Sequence, residues 1–419
     1  MEITLSPVLA RIWQMFTRTR KRSRRGIRQN QKGIVHVYAL FSGSVITLGL
    51  GLYLAHLKPH ISPPVYEEVS VIESDLKGAI TQIDSALYDS LYQGEKAAMG
   101  VVFIEVEPES IQGQDWDFTE LLINVSNRHY AFRVEECIHA QLKRLSPQVT
   151  FKTTEVEGRE IVCHISALGL NTHRIRLIYE GHEGTSYEGL PRIALIIDDL
   201  GYDRDMAMAF FQLDLPLTFS VLPMAPYSDA VVQEATRRGR ELMLHLPLEP
   251  KNYPTLNPGP GALLTDMDDK EIRRILEAHL SQVAGSRGVN HHMGSCFTER
   301  EDKMQIVLSE LKKRSLFYID SRTTKETVAL EMARRMGLPS ARRHVFLDNE
   351  LSPRRIRFQM ERLLGMAKRS GTAIGIAHPH EETLQVIKEY RHRLESNVKL
   401  IPASELVGSY GDQRWVKVE

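Results

Sequence analysis

From residue 191 onward the chain repeats one pattern, and that pattern restricts the fold to very few choices. Short apolar runs (193–199, 217–222, 241–248, 288–293, 315–320, 344–348, 372–377 and 398–401) alternate with charged segments of helical period (229–240, 266–283, 299–313, 324–336, 354–370 and 381–394). Runs apolar on both faces read as strands buried on both sides, and strands alternating with helices build a parallel sheet. Seven or eight such units in about 215 residues suit a (β/α) barrel, complete or incomplete, with a doubly wound open sheet as the alternative. No glycine-rich dinucleotide or phosphate loop follows the first run, which disfavours nucleotide binding.

In such barrels functional side chains stand at the C-terminal ends of the strands. The first run, Ile193-Ala194-Leu195-Ile196-Ile197, ends in Asp198-Asp199. Adjacent carboxylates resist joint ionisation unless a cation or a shared proton relieves them. The third run carries His245 and leads to Glu249, and the fourth carries Asn290-His291-His292. The fifth ends in Asp320-Ser321-Arg322, the sixth in Asp348-Asn349, and His378-Pro379-His380 follows the seventh. Carboxylates and imidazoles converging from separate strands make a site for a divalent cation such as zinc.

Plainer readings stand beside each residue. One Asp before a turn is a common helix cap, and Asp320 and Asp348 fit that role too. His245, between leucines, reads equally as a core histidine. His291 and His292 point in opposite directions in an extended strand, so at most one is a ligand. His378-Pro379-His380 also reads as a turn into a helix whose first turn is Glu381-Glu382.

Six segments carry a family resemblance: Ile196-Ile197-Asp198-Asp199-Leu200-Gly201, Thr218-Phe219-Ser220-Val221-Leu222-Pro223, Leu244-His245-Leu246-Pro247-Leu248-Glu249-Pro250, His292-Met293-Gly294-Ser295, Ile319-Asp320-Ser321-Arg322-Thr323 and Ala377-His378-Pro379-His380. With them, residues 191–407 resemble the divergent polysaccharide deacetylases, a branch of the NodB-like carbohydrate esterases. The resemblance implies a distorted (β/α) barrel and a metal held by one Asp and two His: Asp199, His245 and His292. It implies that Asp198 is the general base toward water and His378 the acid toward the departing amine. His291, Asp320, Arg322, Asp348, His380 and Glu249 are left as supporting or substrate-contacting positions. The segment around His245 lacks the usual His-x-x-x-His pair, so the second imidazole must come from another strand. The usual arginine that orients the base has no evident counterpart; Arg322 is a candidate by position alone.

The N-terminal half lies outside that resemblance. Residues 1–33 hold nine Lys/Arg against Glu2 alone, a charge of +8, so a chain with no net charge carries −8 elsewhere. Residues 34–57 contain no Asp, Glu, Lys or Arg and are long enough to cross a bilayer as a helix. The positive-inside rule makes 1–33 a cytoplasmic tail and everything beyond 34–57 extracytoplasmic. The rivals, a cleaved signal peptide and a buried helix, lack a convincing cleavage site and a polar face, respectively. These arginines set topology and attract anionic lipid, so no nucleic acid is expected as a partner. After a proline-rich linker (58–66), residues 67–180 read as a small α+β domain, a spacer or a docking module for an envelope protein. A second linker (181–190) precedes the barrel, and a tail (408–419) follows it. Cys137 and Cys163 share the small domain, which leaves a disulfide open; Cys296 reads as a small buried side chain.

Taken together, these features predict a membrane-anchored, metal-dependent hydrolase that removes N-acetyl groups from an envelope amino-sugar polymer such as peptidoglycan. The alternative is an inactive glycan-binding or envelope-assembly module that keeps the barrel.

Overall fold

The computed structural model describes residues 75–411, except 93–99, 112, 113, 146, 157 and 180–188. The basic tail (1–33), the anchor (34–57), the linker (58–66), residues 67–74, most of the second linker and the last eight residues of the tail lie outside the described residues. Among the described residues no helix is long and apolar enough to cross a membrane.

The first described unit runs α1 (Asp75–Tyr92), β1 (Gly100–Ile111), β2 (Gln114–Asn124), α2 (Arg128–Leu142), β3 (Val149–Val156), β4 (Glu160–Ala167) and β5 (Leu170–Ile178). Its sheet has the order β1-β2-β5-β4-β3, with β2 and β5 parallel and the other pairs antiparallel. Helix α1 repeats apolar residues at three- and four-residue spacing, and its Leu76, Ile83, Leu87 and Leu91 join Ala131, Val134 and Ile138 of α2 in one core. Cys163 is buried in that core while Cys137 is exposed on α2, and both are free thiols, so the disulfide left open above does not form.

The second unit supplies β6 (Arg192–Leu200), α3 (Arg204–Phe211), β7 (Thr218–Val221), α4 (Ser228–Arg237), β8 (Glu241–Leu248), α5 (Asp269–Gln282) and β9 (Gly288–Met293). It continues with α6 (Glu301–Lys313), β10 (Phe317–Asp320), α7 (Ala329–Arg335), β11 (Ser340–Arg342), β12 (Val345–Phe346), α8 (Pro353–Ser370), β13 (Thr372–Ala377), α9 (Glu381–Ser396), β14 (Lys399–Leu400) and α10 (Ala403–Gly411). Eight strands pair in the order β11-β10-β9-β8-β7-β6-β13-β12, and β14 also pairs β6. Every one of these pairings is parallel. The result is a curled half-barrel rather than a closed one: β11 and β12 are its edges, and only Arg343 and His344 cross between them, donating to Asp320 O and Ile374 O.

Alternate residues of these strands enter two different cores, which separates outside from inside. Ile193, Leu195, Ile197, Phe219, Leu242, Leu244, Val289 and Tyr318 pack with helix residues such as Phe210, Val231, Leu276 and Leu363 on the outer face. Ala194, Ile196, Met243, Phe317, Ile319, Ile374 and Ile376 fill the interior, where Ala403, Leu406 and Val407 of α10 join them. Helix α10 thus plugs the lower end of the barrel, with Ala403 N–H donating to Thr218 Oγ1 at 2.9 Å. Leu406 is fully buried. Its replacement by alanine should cost about 2–5 kcal/mol, read as a lowered urea midpoint.

Helix α8 joins the two units. Pro353 opens it and Gly371, in a left-handed conformation (φ 78°), ends it. Its Phe358 sits in the core of the small unit. Arg355 donates to Asp84 at 3.1 Å, and Asp84 in turn lies 3.1 Å from His173 Nε2. Charges this buried persist only when paired.

Candidate metal centre

The interior parity of the strands decides which polar residues meet. Asp198 follows Ala194 and Ile196, and His245 follows Met243, at interior positions. His245 pairs in register with Asn290, and Pro247 with His292. His378 extends the interior series Ile374, Ile376. Asp199 has the opposite parity and would face the helices in a regular strand. It does not, because β6 carries a bulge between Ile197 and Leu200 and Asp199 adopts a left-handed backbone (φ 55°). Two consecutive carboxylates thereby share one pocket, each 1% exposed. Gly201 completes the turn at φ 129°, where a Cβ would come within 2.9 Å of Ala225 and Ser228. Met293 and Arg322, at the ends of β9 and β10, share the left-handed strain (φ 55° and 54°).

Asp199, His245 and His292 form a cluster whose donor atoms all lie within 4.8 Å of one another, the one such group among the described residues. Asp199 Oδ1 lies 2.8 Å from His245 Nε2 and 2.9 Å from His292 Nδ1. Both Asp199 oxygens are nevertheless buried without a hydrogen-bond partner. Donors this close that do not bond to one another fit a cation between them, and one carboxylate with two imidazoles is a ligand set that zinc accepts. Burial opposes charge on Asp199, but His292 and His245 outweigh it and hold its carboxyl well below the ordinary range.

Asn290, fully buried, ties the cluster to Asp198. Its Nδ2 donates to Asp198 Oδ1 and Oδ2 at 2.8 and 2.9 Å, while its Oδ1 accepts from Ser220 Oγ at 2.5 Å and from His245 Nδ1 at 2.8 Å. Burial pushes the Asp198 carboxyl upward, with His245, His378 and Asn290 opposing. The neighbouring carboxylates are thus driven in opposite directions.

His378 stands across the interior, held by Asp348. Asp348 Oδ1 lies 2.8 Å from His378 Nδ1, and its Oδ2 accepts from the His378 N–H at 2.6 Å and from Thr383 Oγ1 at 2.7 Å. Burial disfavours imidazolium, yet Asp348, then Asp199 and Asp198, push His378 up to about 10. Asp348 therefore acts as a partner to an imidazole and caps no helix; α8 begins instead after Ser352.

The other candidates lie elsewhere. His291 has the outer parity: its Nδ1 bonds Met293 O at 2.8 Å and its Nε2 lies 3.2 Å from Asp320 Oδ1. Asp320 also accepts from Arg322 N–H and Thr327 Oγ1, which closes the loop after β10. Arg322 makes no contact with Asp198; its charge instead joins burial, Arg342 and Arg343 in pushing His344 down to about 4. Glu249 accepts from Thr265 N–H and braces the loop after β8. His380 occupies the cap position of α9 and donates its N–H to His378 O at 2.8 Å, so the turn reading of His378-Pro379-His380 holds beside the chemical one. Sequence reasoning did not single out Asn290, Ser220 or Thr383. Interior parity combined with the β8–β9 register finds Asn290, but that register is not visible in one dimension.

The family described as divergent polysaccharide deacetylase matches over residues 195–407. The uncharacterized protein YibQ of Escherichia coli (strain K12) is 32% identical over 216 residues, which cover 52% of this chain and 67% of that protein. An uncharacterized Haemophilus influenzae protein is 29% identical over 215 residues, 51% of this chain and 76% of its own length. Among solved structures, the uncharacterized protein ATU2773 from Agrobacterium tumefaciens C58 is 25% identical with a TM-score of 0.48, covering 52% of this chain and 91% of that one. On the match over residues 195–407, the chain belongs to the divergent polysaccharide deacetylase family.

Proposed function

We propose that the barrel is a zinc-dependent amidohydrolase that removes N-acetyl groups from an amino-sugar polymer of the cell envelope, such as peptidoglycan. The observation that carries this reading is the meeting, on one interior face, of the Asp199–His245–His292 cluster with a separately held carboxylate and imidazole. Asp199, His245 and His292 would hold the cation, which when bound would polarise the acetamide carbonyl and lower the pKa of a water. Asp198 takes the proton of the attacking water; burial raises its basicity for that task. His378, protonated through Asp348, gives a proton to the departing nitrogen. The C–N bond breaks, a C–O bond forms, and acetate leaves a free amine on the sugar.

The basic segment 1–33 and the uncharged segment 34–57 support a single-pass anchor in the inner membrane with the barrel outside the cytoplasm, where envelope glycans lie. Residues 67–180 then stand between membrane and barrel as a spacer or a docking module.

The test uses the full chain in detergent: zinc content first, then acetate release from N-acetylated chitooligosaccharides and peptidoglycan fragments. Bound zinc with acetate release is expected. A protein that retains no metal overturns the reading, and saccharide binding with zinc but no acetate favours the inactive binding module.

A further inference from the structure

Asn290 hydrogen-bonds to both halves of the site, to His245 of the cluster and to Asp198. The amide nitrogen lies 2.8 and 2.9 Å from the two Asp198 oxygens and donates to both. The amide oxygen then faces Ser220 Oγ and His245 Nδ1, and both must donate. A proton on Nδ1 leaves the lone pair of His245 on Nε2, the atom 2.8 Å from Asp199 Oδ1. Among the described residues Asp198 has no other hydrogen-bond donor, and no arginine reaches it.

We propose that Asn290 is a positioning residue with two separable tasks: its carbonyl oxygen holds His245 in the tautomer that presents Nε2 to the cation, and its N–H groups aim the Asp198 carboxylate. The second task rests on the deacetylase reading; the first needs only that a metal binds. In this chain an amide from β9 thus does what the resemblance had left to an arginine. The metal imidazole and the base are set by one side chain, so their positions cannot vary independently.

Asn290→Asp separates the two tasks. An aspartate oxygen still accepts from His245 Nδ1–H but has nothing to donate to Asp198, and the two carboxylates repel. Asn290→Ala removes both. The measurements are zinc affinity, by competition with a chromophoric chelator, and kcat and KM on N-acetylated chitooligosaccharide, all on the full chain in detergent. Asn290→Asp should keep its zinc Kd within about threefold while kcat falls about 100-fold at unchanged KM. Asn290→Ala should weaken zinc by about 10- to 100-fold and lose kcat as well. If the alanine variant does not fold, Asn290→Ser takes its place with the same expectation.

Wild-type kcat in Asn290→Asp, or wild-type zinc affinity in Asn290→Ala, overturns the proposal while leaving the deacetylase reading standing. If the wild type binds zinc but releases no acetate, the deacetylase reading fails and the zinc affinities alone decide the role of Asn290.

Discussion

Asp199→Ala is expected to abolish zinc retention and to lower kcat/KM by about 1,000-fold or more. A cation that polarises the scissile carbonyl supplies several kcal/mol to the transition state, and each ~1.4 kcal/mol is tenfold in rate. Asp199 is the only carboxylate of the cluster and lies between both imidazoles, so its removal takes away the charge that makes two neutral histidines a cation site. The same experiment separates adjacent histidines that one sequence cannot. His292→Ala should lose zinc as Asp199→Ala does. His291→Ala should keep zinc within a few fold, since its ring faces Met293 O and Asp320 on the outer face. Zinc content by mass spectrometry and acetate release by coupled assay give the answer. Equal zinc loss in both histidine variants would sink the assignment.

The second large effect belongs to the Asp348–His378 pair. A general acid works only while protonated, and a pKa near 10 keeps His378 protonated through neutral pH. A cation beside Asp199 offsets the help His378 draws from that carboxylate, but Asp348, the strongest of its raising partners, remains. In Asp348→Asn that charge is gone while burial still disfavours imidazolium and Asp198 still favours it, so the pKa falls from its raised position. The variant should lose about 100-fold in kcat at pH 7, and its alkaline limb should move down from the region of pH 10. The stability linkage has the same sign. A raised pKa contributes stability that is full below about pH 6.5 and is lost as pH rises through about 10. The wild type should therefore lose its excess melting temperature over Asp348→Asn as pH approaches 10. A pH–rate profile with an unmoved alkaline limb would remove His378 from the acid's role.

Much of the barrel was legible because its strands are long apolar runs between turn residues. Glu241–Leu248, Gly288–Met293 and Thr372–Ala377 appear with the bounds expected of them. What escaped is short or depends on tertiary context. Ser340–Arg342 is a three-residue edge strand with a charged member, and no apolar run announces it. Helix α10 runs to Gly411, where a tail was expected from residue 408, and the interior that its Ala403, Leu406 and Val407 fill is not revealed by the sequence. The site residues at strand ends were readable by their chemical type, but their facing was not. Strands buried on both sides carry no polar alternation to tell inside from outside, so only the resemblance set His292 apart from His291, and Asn290 beside them was given no role. The bulge that turns Asp199 inward is likewise invisible, since Asp before a turn is compatible with many backbones.

The left-handed residues at the ends of β6, β9 and β10 set a limit on how this protein can be improved. Asp199, Met293 and Arg322 occupy conformations that glycine adopts without penalty, so each holds about 1 kcal/mol or more of local strain. At Met293, next to His292 of the candidate metal cluster, relaxation toward glycine would reward a search for thermostability while freeing the backbone that aims the imidazole. Selection for robustness and selection for geometry therefore pull this strand end in opposite directions. A library screened by melting temperature alone would drift away from the geometry of the Asp199–His245–His292 cluster, one permissive residue at a time.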